Sequence, residues 1–222
     1  MLNELITMKN PKSQAAEAFR TLRTNIQFST LDQEIKTIVV TSSQPDEGKS
    51  TIISNLAITF AENNKKVLLI DCDLRKPIVH KNFALSNSDG LTSLVARESK
   101  LEECIKTTTI SNLYILTSGP IPPNPAELLG SKKMKSLLKE FSEVFDIILL
   151  DTPPVLAVTD AQILSTLCDG VVLVTSFGQA EKNAVVRAKE LIDKVGGRIL
   201  GVVMNKVPNK SKSYYYYRYN YR

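Results

Sequence analysis

The sequence of 222 residues predicts an α/β fold with a doubly wound, mainly parallel sheet covered by helices on both faces. Six short runs rich in β-branched residues alternate with segments of helical periodicity. Each run is almost continuously apolar, which is typical of a parallel strand buried on both faces. With 43% hydrophobic residues, the chain can bury one full-sized core. We assign residues 1–205 to a single domain.

The predicted strands are spread along the whole domain, with helices between them. The strands are KTIVVTS, KKVLLID, LYILTS, FDIILLD, DGVVLVTS and RILGVVMN. Helices are predicted near residues 50–63, 131–144, 159–167 and 181–195. The Pro-rich stretch GPIPPNPAELLG predicts a surface loop that leads into a short helix.

An amino-terminal helix is predicted over residues 12–29. Ala15, Phe19, Leu22 and Ile26 recur at the spacing of one helical face, about 100° per residue. This pattern indicates an amphipathic helix that packs against the domain.

The motif EAFRTLR places three charged residues on another face of that helix. Glu17, Arg20 and Arg23 lie roughly 80–200° around from the apolar stripe. Spacing alone leaves two interpretations open, a solvated face or a subunit interface. Arginine and glutamate on adjacent turns can pair across an interface and fix its orientation.

Positive charge is concentrated at the carboxyl terminus. The chain has 28 basic and 23 acidic residues, and five of the basic residues but no acidic one follow Asn205, so residues 1–205 carry 23 of each. We predict that residues 206–222 form a flexible basic tail rich in tyrosine. The neutral body argues against a nucleic acid partner. The tyrosines of this tail are Tyr214, Tyr215, Tyr216, Tyr217, Tyr219 and Tyr221.

Cysteine usage predicts a reduced, cytoplasmic protein. Cys72, Cys104 and Cys168 are widely spaced and form no CxxC pair. No apolar run reaches the ~18–20 residues that span a bilayer, and MLNELITMKN lacks the apolar core of a signal peptide. Any membrane association is therefore expected through a partner.

The stretch TIVVTSSQPDEGKST predicts a buried strand, a phosphate-binding loop and the start of a helix. It fits the loop pattern except that serine replaces the first glycine. Backbone N–H groups at a helix amino terminus suit phosphate oxygens. Lys49 would neutralise the β and γ phosphates, and the Ser50 hydroxyl would bind Mg²⁺. The nucleotide-binding residues predicted in this loop are Ser43, Asp46, Glu47, Gly48, Lys49, Ser50 and Thr51.

Acidic residues end two other predicted strands. Asp71 ends the strand in LLIDCDLR, with Asp73 just beyond it, and Asp151 ends the strand in IILLDTPP. Ligands of open α/β sheets bind at the carboxyl ends of strands, where these acids would supply metal ligands and a base. We predict ATP or ADP and Mg²⁺ as cofactors. The predicted catalytic residues are Lys49, Asp71, Asp73 and Asp151.

These motifs resemble those of one known family. SSQPDEGKST, LLIDCDLR and ILLDTPP are similar to the Walker A, Walker A′ and Walker B motifs of bacterial tyrosine kinases, which have a deviant P-loop NTPase fold and are unrelated to eukaryotic protein kinases. EAFRTLR, GPIPPNPAELL and the tyrosine cluster also resemble family features. The likeness covers nearly the whole chain and is strongest to the separate cytoplasmic kinase of Gram-positive capsule and exopolysaccharide systems.

The resemblance implies an ATP- and Mg-dependent kinase that phosphorylates its own tyrosine cluster between subunits. Ser50, Asp71 and Asp151 would be the metal ligands, Asp151 through water, and Asp71 also the base. Asp73 would contact metal or substrate. Lys49 and Asp71 are expected to face solvent and phosphate rather than the core. Asn205 resembles the adenine contact of related ATPases.

The resemblance also implies partners. They are a membrane polysaccharide co-polymerase adaptor that activates the kinase, further copies of the chain in a ring held through Glu17, Arg20 and Arg23, a phosphotyrosine phosphatase, and substrates such as sugar-nucleotide enzymes. The kinase would regulate polysaccharide synthesis and export from the inner face of the membrane, where the adaptor recruits it.

Three alternatives remain at this point. A nucleotide-switched partitioning ATPase has the same fold, but its signature lysine is absent where Ser43 and Gln44 stand, and a switch needs no tyrosine tail. An iron–sulfur carrier ATPase would need a CxxC pair. The tail could instead bind RNA or a membrane surface, with the domain as a passenger.

Overall fold

The computed structural model describes residues 5–29, 34–97 and 100–208. Within these ranges the strands form one sheet in the order β3-β4-β2-β5-β1-β6-β7, parallel except for the antiparallel pair β3–β4. This confirms the predicted doubly wound, mainly parallel sheet. The strands are β1 Thr37–Ser42, β2 Val67–Asp71, β3 Ile105–Thr107, β4 Leu113–Leu116, β5 Ile147–Asp151, β6 Gly170–Ser176 and β7 Ile199–Asn205.

Each central strand contributes to two cores. In β2, Leu68 and Ile70 belong to the core under the helices at 132–144 and 160–165, whereas Val67 and Leu69 belong to the core under the helices at 14–28 and 49–62. Side chains alternate between the faces of a strand, so a strand covered on both faces needs apolar residues at nearly every position. This explains the continuous apolar runs in the sequence. The helices are α1 Ile6–Lys9, α2 Gln14–Phe28, α3 Lys49–Glu62, α4 Val79–Asn82, α5 Leu91–Arg97, α6 Leu101–Cys104, α7 Pro125–Leu129, α8 Lys132–Val144, α9 Asp160–Ser165 and α10 Lys182–Lys194.

The predicted helices and the short helix after the Pro-rich loop are confirmed to within about two residues at each end. The sequence analysis missed β3 and the short helices α1, α4, α5 and α6. None of these exceeds seven residues, which is too short for periodicity to be recognised.

The apolar stripe of α2 begins one residue later than predicted. Ala16 and Ile26 are buried, and Phe19 and Leu22 are half-buried against the same core, but Ala15 is exposed. The chain enters the helix at Ser13, whose side chain accepts a hydrogen bond from the Ala16 N–H at 3.1 Å. Ala16 and Phe19 are three residues apart, which also places them on one helical face, so Ala16 begins the buried stripe.

Parallel register brings the carboxyl ends of the strands together at one edge. Asp151 of β5 lies opposite Val40 of β1 on one side and Asp71 of β2 on the other. Ser176 of β6 lies opposite Asn205 of β7. The loop between β1 and α3 starts at the centre of this edge.

We predict that Gly90→Ala destabilises the fold by about 2–3 kcal/mol, because overpacking at a site with no room displaces backbone. A Cβ atom at Gly90 would lie 2.1 Å from the Thr117 carbonyl oxygen and 2.4 Å from the Gly119 nitrogen. Gly201→Ala is the matched control, since a Cβ atom there would meet no atom within 4 Å. Urea unfolding of both variants measures the difference. Equal stability would contradict this prediction.

Candidate active site

The phosphate loop is held from the inside by a buried acid. The Glu47 carboxylate accepts hydrogen bonds from the Ser43 hydroxyl at 2.9 Å, from the Gln44 N–H at 2.8 Å and from the Ser176 N–H at 3.4 Å. Glu47 is 3% exposed. Its side chain therefore braces the loop, and its contribution to a nucleotide site would come from its backbone.

Gly48 lies where the loop turns into α3. Its φ of +90° is left-handed, a region that favours glycine. A Cβ atom there would lie 2.2 Å from the Asn205 side-chain nitrogen, so any other residue would have to displace the Asn205 amide. Asp46 also has a positive φ, +61°, and the loop thus contains two left-handed residues.

The Lys49 ammonium lies between the loop and the acids after β2. It is 3.3 Å from an Asp73 carboxylate oxygen and 3.5 Å from the Ser50 hydroxyl. The other Asp73 oxygen accepts the Lys76 N–H at 3.0 Å. Lys49 is therefore held beside the start of α3 by an acid that a phosphate could replace.

Asp71 is fully buried, so the expectation that it faces solvent is wrong. One carboxylate oxygen accepts the N–H groups of Ile78 and Val79 at 3.1 and 3.0 Å, and the other accepts the Asp73 N–H at 3.2 Å. Burial, together with the charge of neighbouring Asp151, raises the pKa of Asp71 well above its ordinary value. The end of β2 lies inside the sheet edge, and the loop up to α4 closes over it.

Asp151 has two buried carboxylate oxygens without a hydrogen-bond partner among the described residues. Burial raises the pKa of Asp151 to about 6. The Lys49 ammonium and, more weakly, the nearby Ser50 hydroxyl and Thr152 N–H act in the opposite direction. An unpaired buried carboxylate is unfavourable, and a cation would relieve it. These oxygens and the Ser50 hydroxyl fit a bound Mg²⁺.

The described residues contain no group of three or more His, Cys, Asp or Glu side chains placed to bind a metal. Mg²⁺ needs only one or two protein carboxylates, because phosphate oxygens and water complete its coordination. The site therefore suits a metal that arrives with a nucleotide.

A cavity of about 440 Å³ opens at this edge of the sheet, within the range of small-molecule sites. Among its lining residues are Asp46, Gly48, Lys49, Ser50, Thr51 and Asp73. The phosphate loop thus shares one cavity with the first residues of α3 and with the acid after β2.

Sequence analysis missed an ion pair on the wall of this cavity. Arg75 donates two hydrogen bonds to Asp160, each 3.0 Å long, and Asp160 is fully buried. The pair joins the loop after β2 to the first turn of α9. Arg75 stands in a recognised motif, but its partner lies 85 residues away and carries no local signal.

Asn205 and the charged residues of α2 are not among the residues that line the cavity. The Asn205 side chain donates to the Glu47 carbonyl at 2.9 Å, at the back of the phosphate loop. On α2, Arg20 pairs with Glu17 at 3.0 Å, and Arg23 donates to the Thr59 carbonyl at 3.0 Å. These contacts within one chain leave the two interpretations of EAFRTLR open. The six clustered tyrosines lie outside the described residues.

The fold and site define a P-loop nucleotide-binding protein. A family model described as an AAA domain matches residues 35–199. Tyrosine-protein kinase YwqD of Bacillus subtilis (strain 168) is 49% identical over 218 residues, which cover 98% of this chain and 92% of YwqD. The putative tyrosine-protein kinase CapB of Staphylococcus aureus is 42% identical, covering 97% and 95%. The chain belongs to the bacterial tyrosine-protein kinase family.

Solved structures share this fold. The chimerical protein CapA2B2 matches with a TM-score of 0.89 and 43% identity over 92% of this chain and 90% of that one. The septum site-determining protein MinD of Pyrococcus horikoshii, complexed with Mg-ADP, matches with a TM-score of 0.67 and 25% identity over 80% and 72%. In the part of the chain that the structure describes, no helix is long and apolar enough to cross a membrane.

We predict that Asp151→Asn stabilises the nucleotide-free protein at pH 8 by about 1–3 kcal/mol. Because the pKa of Asp151 is raised to about 6 in the folded state, its charge destabilises the folded state at higher pH, and the substitution removes that charge. Asp169→Asn is the control. Its carboxylate is satisfied by the Lys36 and Thr37 N–H groups at 2.9 and 2.8 Å, so the same change should lower stability. Thermal unfolding without Mg²⁺ measures both. A less stable Asp151→Asn protein would contradict the orphaned-charge interpretation.

Proposed function

We propose that this chain is an ATP- and Mg²⁺-dependent protein-tyrosine kinase that phosphorylates its own carboxyl-terminal tyrosine cluster. One observation carries the proposal. Asp71 and Asp151 lie side by side on neighbouring strands, next to a phosphate loop whose Lys49 already pairs with an acid. Membership of the bacterial tyrosine kinase family supports the same reaction.

Nucleotide binding is the first part of this proposal. ATP would lie in the cavity with its phosphates at the amino terminus of α3, where backbone N–H groups and the helix dipole favour anions. Lys49 would release the Asp73 carboxylate and bind phosphate oxygens instead. Bound Mg²⁺ would neutralise phosphate charge, with Ser50, Asp71 and Asp151 as its candidate protein ligands. The Mg-ADP complex of the related MinD fold supports these cofactors.

Proton transfer is the second part. The tyrosine hydroxyl attacks the γ-phosphorus, the bond from that phosphorus to the bridging oxygen breaks, and ADP leaves. The hydroxyl proton passes to a carboxylate. Asp71 is our assigned base, because its raised pKa makes it a stronger proton acceptor than an ordinary aspartate. Asp73 remains the alternative for substrate or metal contact.

The tail is the proposed substrate. It leaves β7 after Asn205, at the sheet edge that carries the cavity. Its 17 residues, 206–222, would span at most ~55 Å if fully extended, at roughly 3.3 Å per residue. That reach allows a tail to enter the cavity of a neighbouring subunit, so we propose transfer between subunits.

The partners follow from family membership as further proposals. A membrane polysaccharide co-polymerase adaptor would recruit the kinase to the inner face of the membrane and activate it. A phosphotyrosine phosphatase would reverse the modification, and exogenous substrates such as sugar-nucleotide enzymes would link it to capsular or exopolysaccharide synthesis and export.

A partitioning-type ATPase is the second candidate, favoured by the fold shared with MinD. Such a switch would bind and hydrolyse ATP without making phosphotyrosine. The two functions are therefore separated by the product of the reaction.

Lys49→Met and Asp71→Asn are each expected to abolish phosphotyrosine formation, because one removes the phosphate contact and the other the base. Losses of at least 100-fold are expected for a positioned acid–base group. Lys133→Met is the control, since Lys133 is an exposed residue of α8. Anti-phosphotyrosine signal after incubation with Mg-ATP and the adaptor's cytoplasmic segment is the measurement. Near-normal signal in either well-folded variant would refute its assignment, and ATP hydrolysis without phosphotyrosine in the wild type would favour the partitioning ATPase.

The charged face of α2 is proposed to hold the ring. Replacing Glu17, Arg20 and Arg23 by alanine is expected to give monomers, because the removed side chains would otherwise pair between copies. Arg23 also contacts Thr59 in its own chain, so the variant pair Glu17→Ala and Arg20→Ala, which spares that contact, is the control for folding. Light scattering measures the mass. An unchanged oligomer would make this a solvated face.

A further inference from the structure

The last residue of β7 and the residue after it donate hydrogen bonds to the phosphate loop. The Asn205 side chain donates to the Glu47 carbonyl at 2.9 Å. The Lys206 ammonium donates to the Asp46 carbonyl at 2.7 Å and to the Gln179 side-chain oxygen at 3.0 Å. The two acceptor carbonyls belong to consecutive residues of the loop, directly before its glycine. The chain therefore leaves the sheet through a double contact with the phosphate loop.

The backbone at this exit is fixed in an unfavourable conformation. Lys206 has a φ of +57°, a left-handed value that residues with a Cβ atom adopt at a cost. Strain of this kind persists where surrounding contacts hold it. Here the Phe177 N–H donates to the Asn205 carbonyl at 2.9 Å, and the ammonium contact to Asp46 holds the other side.

A hydrogen bond to a carbonyl oxygen also fixes the direction of the N–H group in the same peptide unit. The peptide unit is planar and trans, so its N–H points away from its C=O, and the described residues contain no cis peptide. The Lys206 contact therefore directs the Glu47 N–H, and the Asn205 contact directs the Gly48 N–H, away from β7. Backbone N–H groups of such a loop are the donors that hold phosphate.

We propose that Lys206 is a positioning residue for the phosphate loop. The start of the tail and the nucleotide site are thereby coupled. This rests on the proposed function, because it takes the nucleotide to bind in that loop. Lys206 touches no substrate and acts through the Asp46–Glu47 peptide. Linkage makes the coupling reciprocal: a nucleotide that fixes the loop fixes the start of the tail, and displacement of that start loosens the loop.

Lys206→Gly separates this role from ordinary stabilisation. Glycine adopts the left-handed conformation without strain, so the melting temperature should be unchanged or higher. The lost hydrogen bond should nevertheless weaken binding of a fluorescently labelled ADP with Mg²⁺ by about three- to tenfold. Lys206→Arg restores a cationic donor and should bind within about twofold of the wild type. Lys133→Met, which removes one exposed positive charge elsewhere, controls for net charge.

The outcomes are distinguishable. Weaker ADP binding in Lys206→Gly, without loss of thermal stability and with rescue by arginine, supports the proposal. Equal ADP affinity in Lys206→Gly and wild type overturns it. A loss of affinity that accompanies a drop in melting temperature, and that Lys206→Arg does not rescue, also overturns it. If the wild type itself shows no ADP binding that Lys49→Met removes, the proposed function fails instead.

Discussion

Two buried carboxylates on adjacent strands are the constraint around which this sheet edge is built. Asp71 and Asp151 are partners in the register of β2 and β5, on strands about 4.8 Å apart, and both are fully buried. Their charges oppose each other in a region of low polarity, so the surroundings must supply compensation. For Asp71 it comes from N–H groups at Ile78 and Val79, and this contact fixes the start of α4 over the end of β2.

Asp151 receives less compensation than Asp71, and that difference suits the chemistry. The oxygens of Asp71 accept three N–H groups, whereas the oxygens of Asp151 have no hydrogen-bond partner among the described residues. The Lys49 ammonium interacts favourably with the Asp151 charge while it pairs with Asp73. Folding thus leaves one acid under-satisfied beside the phosphate loop. A cation that binds together with a nucleotide would neutralise this buried charge and remove its cost to stability.

The sheet and the motif residues could be predicted from sequence because their signals are local. A run such as IILLD reports burial on both faces, and its last residue lies at the ligand edge of any parallel sheet. Contacts between distant segments had no such signal. The Arg75–Asp160 pair spans 85 residues, and the burial of Asp71 depends on how the following loop folds back. Ala15 was placed on the wrong face because the positions three and four residues before Phe19 both fit helical periodicity, and only packing against the core distinguishes them.

The departure of the phosphate loop from its usual pattern is explained by a side-chain pair. Serine stands where the first glycine is expected, and its hydroxyl donates to the buried Glu47 carboxylate at 2.9 Å. Glu47 also accepts the Gln44 N–H at 2.8 Å, so one acid closes the loop on itself and would lose its hydroxyl donor if Ser43 were glycine. The loop therefore keeps its shape through side chains where a glycine-rich loop depends on backbone freedom. Asn205 and Lys206 donate hydrogen bonds to the same turn from the end of β7, so the loop is held by contacts with the last strand of the sheet as well as by its own side chains.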